Sequence, residues 1–248
     1  MNKALIAASV ALAFAACGGD EDDLPHPHPI TFPAEGLYRG KTSANQDITA
    51  FVLDDGTYYI AYQALPYSSG VLQGTMHAAH GRFTSSNGKD YSETFREIFD
   101  VSVDGTYATR GHLNGTVRYP ATGQTVTFTS SYDKDDERTP TLATLAGSYE
   151  GNAITLHVLE SMAIRIAANG AISGTGASGC KFTGVASPRR RGNLYDITVV
   201  YGPSPCATPA RRLSGIAYYH AQDRTLFVTG MNGDRSEGVV FRGMRQSR

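Results

Sequence analysis

Two stretches of this chain open on the same pattern, Gly36-Leu37-Tyr38-Arg39-Gly40 and Gly147-Ser148-Tyr149-Glu150-Gly151, and the segments downstream of each recur in order. Leu72-Gln73-Gly74-Thr75 answers to Ile172-Ser173-Gly174-Thr175, and Arg82-Phe83-Thr84 to Lys181-Phe182-Thr183. Leu113-Asn114-Gly115 answers to Leu213-Ser214-Gly215, and Val126-Thr127-Phe128-Thr129 to Leu226-Phe227-Val228-Thr229. Spacing is held too: 32 residues from Phe83 to Gly115 against 33 from Phe182 to Gly215, then 14 from Gly115 to Thr129 and from Gly215 to Thr229. Such self-similarity predicts two lobes of like topology, with the extra residues of the first half falling around Asp54 to Gly70.

Each half reads as a β meander. Ile48 to Leu53, Tyr58 to Tyr62, Asp196 to Tyr201 and Ile216 to His220 alternate in the manner of half-buried strands. Between such runs stand Asp55-Gly56, Asn87-Gly88, Asp104-Gly105, Asn114-Gly115, Asn169-Gly170 and Asn232-Gly233, dipeptides that accept the positive φ of tight hairpin turns. With 27 Gly, 14 Tyr and no Trp, the composition suits the same reading. The fold class expected is all-β: two tandem antiparallel up-and-down β-barrel or small-sandwich lobes, about eight strands each, closed so that no long edge is exposed. A charged, solvated join is expected through Tyr132 to Pro140, and Leu142 to Ala146 as the one helical element.

Ahead of the lobes, Lys3, the apolar run Ala4 to Phe14 and Phe14-Ala15-Ala16-Cys17 form a signal segment with a small-residue cleavage site. The apolar run is too short to span a bilayer. A Cys directly after the site resembles the lipobox, in which Cys17 is acylated and becomes the new N-terminus. The expected division is therefore 1–16 lipoprotein signal peptide, 17–35 lipidated flexible tether, 36–145 N-terminal β lobe and 146–248 C-terminal β lobe. Gly18-Gly19, the acidic run Asp20 to Asp23 and Pro25-His26-Pro27-His28-Pro29 give the tether its flexible and extended character. Gly18 in place of an inner-membrane retention Asp favours the outer membrane, on either its periplasmic or its surface face.

Cys180 and Cys206 are the two thiols left once Cys17 is lipidated, and an exported protein pairs them most simply in a disulfide. Were Arg189-Arg190-Arg191-Gly192 a hairpin turn, the chain would fold back and bring the two together. Charge is uneven: residues 1–35 carry a net of −4, residues 36–145 a net of −3 and residues 146–248 a net of +6. Arg189, Arg190, Arg191, Arg211 and Arg212 make up the clusters of that basic excess, a candidate patch for a protein or anionic glycan partner. No stacking aromatic motif accompanies them, so nucleic acid is not expected.

Sites of chemistry are few. His77 and His80 flank two alanines, but in strand or turn that spacing sends the side chains to opposite faces, and no nearby Glu completes a zinc motif. His26 and His28 belong to the tether, and His112, His157 and His220 stand singly in strand patterns. Asp133, Asp135, Asp136 and Glu137 lack the Gly and terminal Glu of a calcium loop. Glu93 and Glu97 read as an acidic pair on a strand edge rather than as a catalytic pair. No Gly-x-Ser-x-Gly elbow, HExxH or phosphate-cradling loop occurs, so no catalytic residue, metal or cofactor is expected.

The second half resembles a group of uncharacterised proteobacterial outer-membrane lipoproteins with a tandem β-meander repeat. The resemblance rests on Ala177 to Gly184, on Gly192-Asn193-Leu194-Tyr195-Asp196, and on Pro205-Cys206 followed by Gly215-Ile216-Ala217-Tyr218-Tyr219. It implies a β-rich, disulfide-bonded lipoprotein and carries no activity. Lipocalins and avidins would show Gly-x-Trp where this chain has Gly36-x-Tyr38 and Gly147-x-Tyr149, so none of their site residues transfers. The function expected is a non-catalytic envelope lipoprotein, held to the membrane by its lipid, that presents a β-rich surface to a partner. The alternatives are a carrier of a small apolar ligand within one barrel, and an envelope immunity or housekeeping lipoprotein.

Overall fold

A computed structural model describes residues 31–64 and 68–247. Cys17, His26, His28 and nearly all of the signal and tether expectations lie outside the described residues.

The first lobe runs β1 Gly36–Thr42, β2 Asp47–Val52, β3 Thr57–Ala64, β4 Ser68–Thr75, β5 His77–Ala79, β6 Arg82–Ser92, β7 Glu97–Ala108, β8 His112–Tyr119 and β9 Gln124–Tyr132. Each strand pairs antiparallel with its neighbours, β1 returns to pair with β9, and β4 pairs with β6. The ring therefore closes with eight strands, and the short β5 continues β4 along β6. After a 3-10 turn at Lys134–Glu137 and the one-turn helix α1 Leu142–Leu145, the second lobe begins. It comprises β10 Gly147–Thr155, β11 Leu159–Ile166, β12 Ala171–Gly176, β13 Lys181–Pro188, β14 Tyr195–Tyr201, β15 Arg212–His220, β16 Thr225–Met231 and β17 Gly238–Arg245, again a closed barrel in sequence order. Two tandem up-and-down barrels are the architecture, as the alternation and hairpin spacing predict.

Strand patterning shows why each ring closes. Along β14 the inward Tyr195, Ile197, Val199 and Tyr201 are buried, while Asp196 and Val200 face out. Both opening tyrosines repeat one contact: Tyr38 donates its hydroxyl to the Ala34 carbonyl and Tyr149 to that of Leu145, in each case four residues back. Closure repeats as well. Gly40 sits opposite Ser130 and Thr42 opposite Phe128, just as Gly151 sits opposite Gly243 and Ala153 opposite Phe241.

That geometry corrects the repeat in detail. Only the Gly-x-Tyr opening matches strands of the same rank. Leu72, Phe83, Gly115 and Phe128 lie on the fourth, fifth, seventh and eighth strands of their barrel; Ile172, Phe182, Gly215 and Leu226 lie on the third, fourth, sixth and seventh of theirs. The extra residues at 54–70 take in the whole of β3, and it is Phe241, not Val228, that takes the place of Phe128. Inward apolar residues beside a glycine recur on most strands of a meander, so a one-strand slip keeps the matches.

Three of the six Asn-Gly and Asp-Gly pairs are not turns. Asp55-Gly56, Asn169-Gly170 and Asn232-Gly233 fall in connections, but Asn87-Gly88, Asp104-Gly105 and Asn114-Gly115 are inside β6, β7 and β8. Gly105 and Gly115 face each other across β7 and β8, and a Cβ on Gly105 would come within 2.0 Å of the Asn114 carbonyl oxygen. Close backbone approach, not positive φ, requires those glycines.

The barrels pack together through outward-facing apolar residues. Leu37, Phe51, Leu53, Tyr59, Val71 and Tyr91 of the first meet Leu194, Ile216, Tyr218, Met231 and Val240 of the second. Ala50 to Leu53 and Ile216 to Tyr219 are unbroken apolar runs because those strands are covered on both faces. Tyr91 donates its hydroxyl to the Gly238 carbonyl at 2.8 Å, and Arg242 donates to both oxygens of the buried Glu93 at 2.6 and 2.8 Å. The join between lobes is a second correction. Asp136 is buried, with Tyr132 donating to it at 3.2 Å, while Asp135 accepts from Tyr218 at 2.6 Å and Asn193 at 2.9 Å. It is part of the seam and not a solvated linker. The Lys134–Glu137 turn also adds a helical element beyond α1.

Candidate functional site

Cys180 and Cys206 form the expected disulfide, with an S–S distance of 2.05 Å and a Cα–Cα distance of 4.4 Å. Phe182 faces Tyr201 across β13 and β14, and Arg189 to Leu194 connects the strands, so the chain folds back as the hairpin reading requires.

The five arginines do not make one patch. Successive hairpin connections of a meander leave opposite ends of the barrel. Arg189–Arg191 therefore lies beyond Tyr195 at one end of β14, and Arg211 and Arg212 lie beside Val200 at the other, roughly 17 Å away by strand rise. Arg189 is drawn into the seam, where it donates to Asp54 at 2.7 Å and also meets Asp196. Arg191 pairs with Glu35 at 3.3 Å. Arg190, Arg211 and Arg212 are exposed. The partners of Arg189 and Arg191 are 135 and 156 residues away in sequence, beyond the reach of local pattern.

Elsewhere the sequence candidates fall apart. His77 and His80 are exposed, and among the described residues no group of His, Cys, Asp and Glu could hold a metal. Glu93 is buried against Arg242, whereas Glu97 lies at a cavity rim, so the two carboxylates do not act together.

The cavity itself is the feature that sequence reasoning missed. It opens at the end of the first barrel where β1–β2, β6–β7 and β8–β9 connect, and measures about 420 Å3. Its walls are Ile48, Ile60, Leu72, Phe99, Val117, Val126 and Phe128, with Phe95 at the lip. The opposite end is shut by the 31–35 segment, whose Phe32 and Ala34 pack against the barrel core.

Deep in the cavity β6 supplies its polar floor. Phe83, Ser85, Gly88, Asp90 and Ser92 are the buried inward positions of that strand, and a register shift between Ser85 and Gly88 keeps both ends facing in. Asp90 is 2% exposed. Tyr62 from β3 donates to its two oxygens at 3.0 and 3.2 Å, and Tyr119 from β8 donates at 2.8 Å. Burial pushes the Asp90 carboxyl up to about 6, a rise that the two hydroxyl bonds oppose. Both tyrosines are held far above the ordinary phenol value, by burial first and by the Asp90 charge second. From the rim inward the rings form a ladder: Phe95 meets Phe99 edge-on at 6.2 Å, and Phe99 meets Tyr119 at 6.3 Å. Phe95 is 74% exposed, the most exposed large apolar side chain among the described residues. The signal available in sequence was β6 itself, which reads Arg-Phe-Thr-Ser-Ser-Asn-Gly-Lys-Asp-Tyr-Ser and is too polar for a strand that fills a barrel.

A second hollow, about 790 Å3, lies between the barrels over Phe51, Tyr218 and Phe227. Arg39, Lys41, Asp47, Asp223 and Arg242 rim it with both signs of charge. Its aromatic floor is already packed, Phe51 against Tyr218 at 5.2 Å and Phe227 at 5.9 Å, so it is the outer edge of the seam and a weaker candidate than the smaller cavity.

No protein-family model matches the chain, and no curated protein matches its sequence. Among solved structures, the 2.40 Å crystal structure of a "putative outer membrane protein" from Bacteroides fragilis NCTC 9343 is similar over 87% of this chain and 98% of that one, at 13% identity and a TM-score of 0.27. A TM-score that low carries no argument about fold or function.

Proposed function

We propose that this protein is an envelope lipoprotein, anchored through Cys17, that binds a small, largely apolar ligand inside its first barrel and acts by binding rather than by catalysis. One observation carries the reading: an open, apolar cavity of about 420 Å3 with a few converging polar groups at its base, the common form of a small-molecule site. The lipobox and the resemblance to outer-membrane lipoproteins support the envelope location. A partner-binding surface loses its main support, since two of the five arginines are engaged in the seam and the others are divided between two ends. The test is saturable binding of the neutral fluorophore 1-N-phenylnaphthylamine by the purified protein. Val126→Trp, which fills the cavity from its wall, is expected to abolish that binding. No saturable binding, or binding untouched by this substitution, would remove the first barrel as the site.

A further inference from the structure

The polar groups of the cavity are one-sided in charge. Asp90 lies at its base and Glu97 at its rim, and among the described residues no Lys, Arg or His lines it. Two of the other three buried carboxylates have a cation from the partner barrel, Glu93 with Arg242 and Glu35 with Arg191, while Asp136 accepts from Tyr132 in the seam, away from the cavity. Asp90 has no cation within ion-pair distance among the described residues. Tyr62 and Tyr119 donate to it, but an ionised carboxylate accepts about four hydrogen bonds, so acceptor capacity remains on the cavity side. A buried charge in an apolar site is costly unless it is paired, and none of the cavity's own lining supplies that partner.

Resting on the ligand-binding reading above, we propose that the ligand is a cationic amphiphile: an apolar body bearing one protonated amine, the ammonium seated against Asp90 and the body along Phe99 and Phe128. The aromatic ladder fits the same occupant, because ring faces attract a cation on its way in. Phe95, Phe99 and Tyr119 lead from solvent to the carboxylate. A fatty acid is the opposite case, since its carboxylate would be driven into a negative floor. The titratable groups that face Asp90 are Tyr62 from β3, Tyr119 from β8 and, at the rim, Glu97 from β7; Leu72 of β4 sits beside it and is apolar.

Displacement of bound 1-N-phenylnaphthylamine by octylamine, 1-octanol and octanoate at pH 7.5 tests the assignment. Octylamine is expected to displace the probe at about tenfold lower concentration than 1-octanol, the factor a single charge-assisted hydrogen bond supplies, with octanoate weakest. Asp90→Asn should erase the preference for the amine, while Glu150→Gln, at an exposed position of β10 outside the cavity, should retain it. If the Asn variant does not fold, the wild type decides: octylamine stays protonated from pH 5 to 7.5, so its advantage should shrink at pH 5 as Asp90 takes up a proton. Equal displacement by octanol and octylamine, or an amine preference that survives Asp90→Asn, overturns the amine assignment and leaves the cavity reading standing. Absence of probe binding overturns both.

Discussion

The two barrels share strand order, closure register and the tyrosine that ties the first strand to the preceding carbonyl, yet one is open and the other is stoppered. The difference lies on the fifth strand and at one end. β6 turns Ser85, Asp90 and Ser92 inward, where β14 turns Tyr195, Ile197, Val199 and Tyr201. At the end where the first barrel opens, four residues join β6 to β7; at the same end of the second, ten residues join β14 to β15 and carry the buried Cys206. Cys180, in the neighbouring β12–β13 connection, binds that longer loop down. What remains there is a recess of about 10 Å3 beside Cys180, Tyr201 and Thr208, room for at most about one water. A barrel of eight strands has an interior that side chains can just fill. Whether it becomes core or pocket is therefore decided by a few inward residues and one loop.

The largest effect is expected from breaking the seam that makes the barrels one unit. Phe51 is almost fully buried between Tyr218 and Phe227, so Phe51→Ala should cost about 3–5 kcal/mol in urea unfolding. Calorimetry should then resolve two transitions, the first barrel melting earlier because its interior is incompletely filled. One transition at an unchanged temperature would mean the barrels are coupled by something other than this seam.

Next in size is the staple. Replacing Cys180 and Cys206 by Ser should cost about 3 kcal/mol, chiefly through the freed unfolded chain. Probe stoichiometry should nonetheless stay at one per chain, because Phe182, Tyr201 and Met162 still fill the second barrel. A second probe molecule bound by this variant would show that the loop, not the side chains, keeps that barrel closed.

The smallest effect sharpens the polar contrast. Asp90 and Asp136 both have carboxyls that burial raises to about 6 from an ordinary value near 3.8. The folded state therefore holds more protons than the unfolded one between those values. Their stabilising contribution is present below about pH 4 and lost as pH rises through about 6. Asp90→Asn should flatten this fall by at most about 3 kcal/mol, two tenfold changes in proton affinity on folding at about 1.4 kcal/mol each, and Asp136→Asn should flatten it separately. Stability curves from pH 3.5 to 7.5 that are identical for wild type and Asp90→Asn would place Asp90 in contact with bulk water.

Much of the fold was legible locally. Alternation along Asp196 to Tyr201 marks a strand with one buried face, the two Gly-x-Tyr openings mark the first strand of each barrel, and the hairpin between Cys180 and Cys206 follows from short-range folding back. The cavity was less so. The polar spelling of β6 is visible in sequence, but its meaning depends on Tyr62 and Tyr119 arriving from strands 28 and 29 residues away.

What the sequence determined by itself is the all-β class, the two meanders and the disulfide, because a period of two, turn chemistry and chain reversal act over a few residues. Tertiary structure alone decided which face of each strand points into a ring, which glycines serve close approach, and which charges meet. Arg189 and Arg191 looked like a surface cluster until the first barrel brought Asp54 and Glu35 to them. Asp90 carried no signal of its own until closure brought Tyr62 and Tyr119 to it. Those outcomes depend on curvature and on contacts between segments far apart in the chain, and no local pattern specifies either.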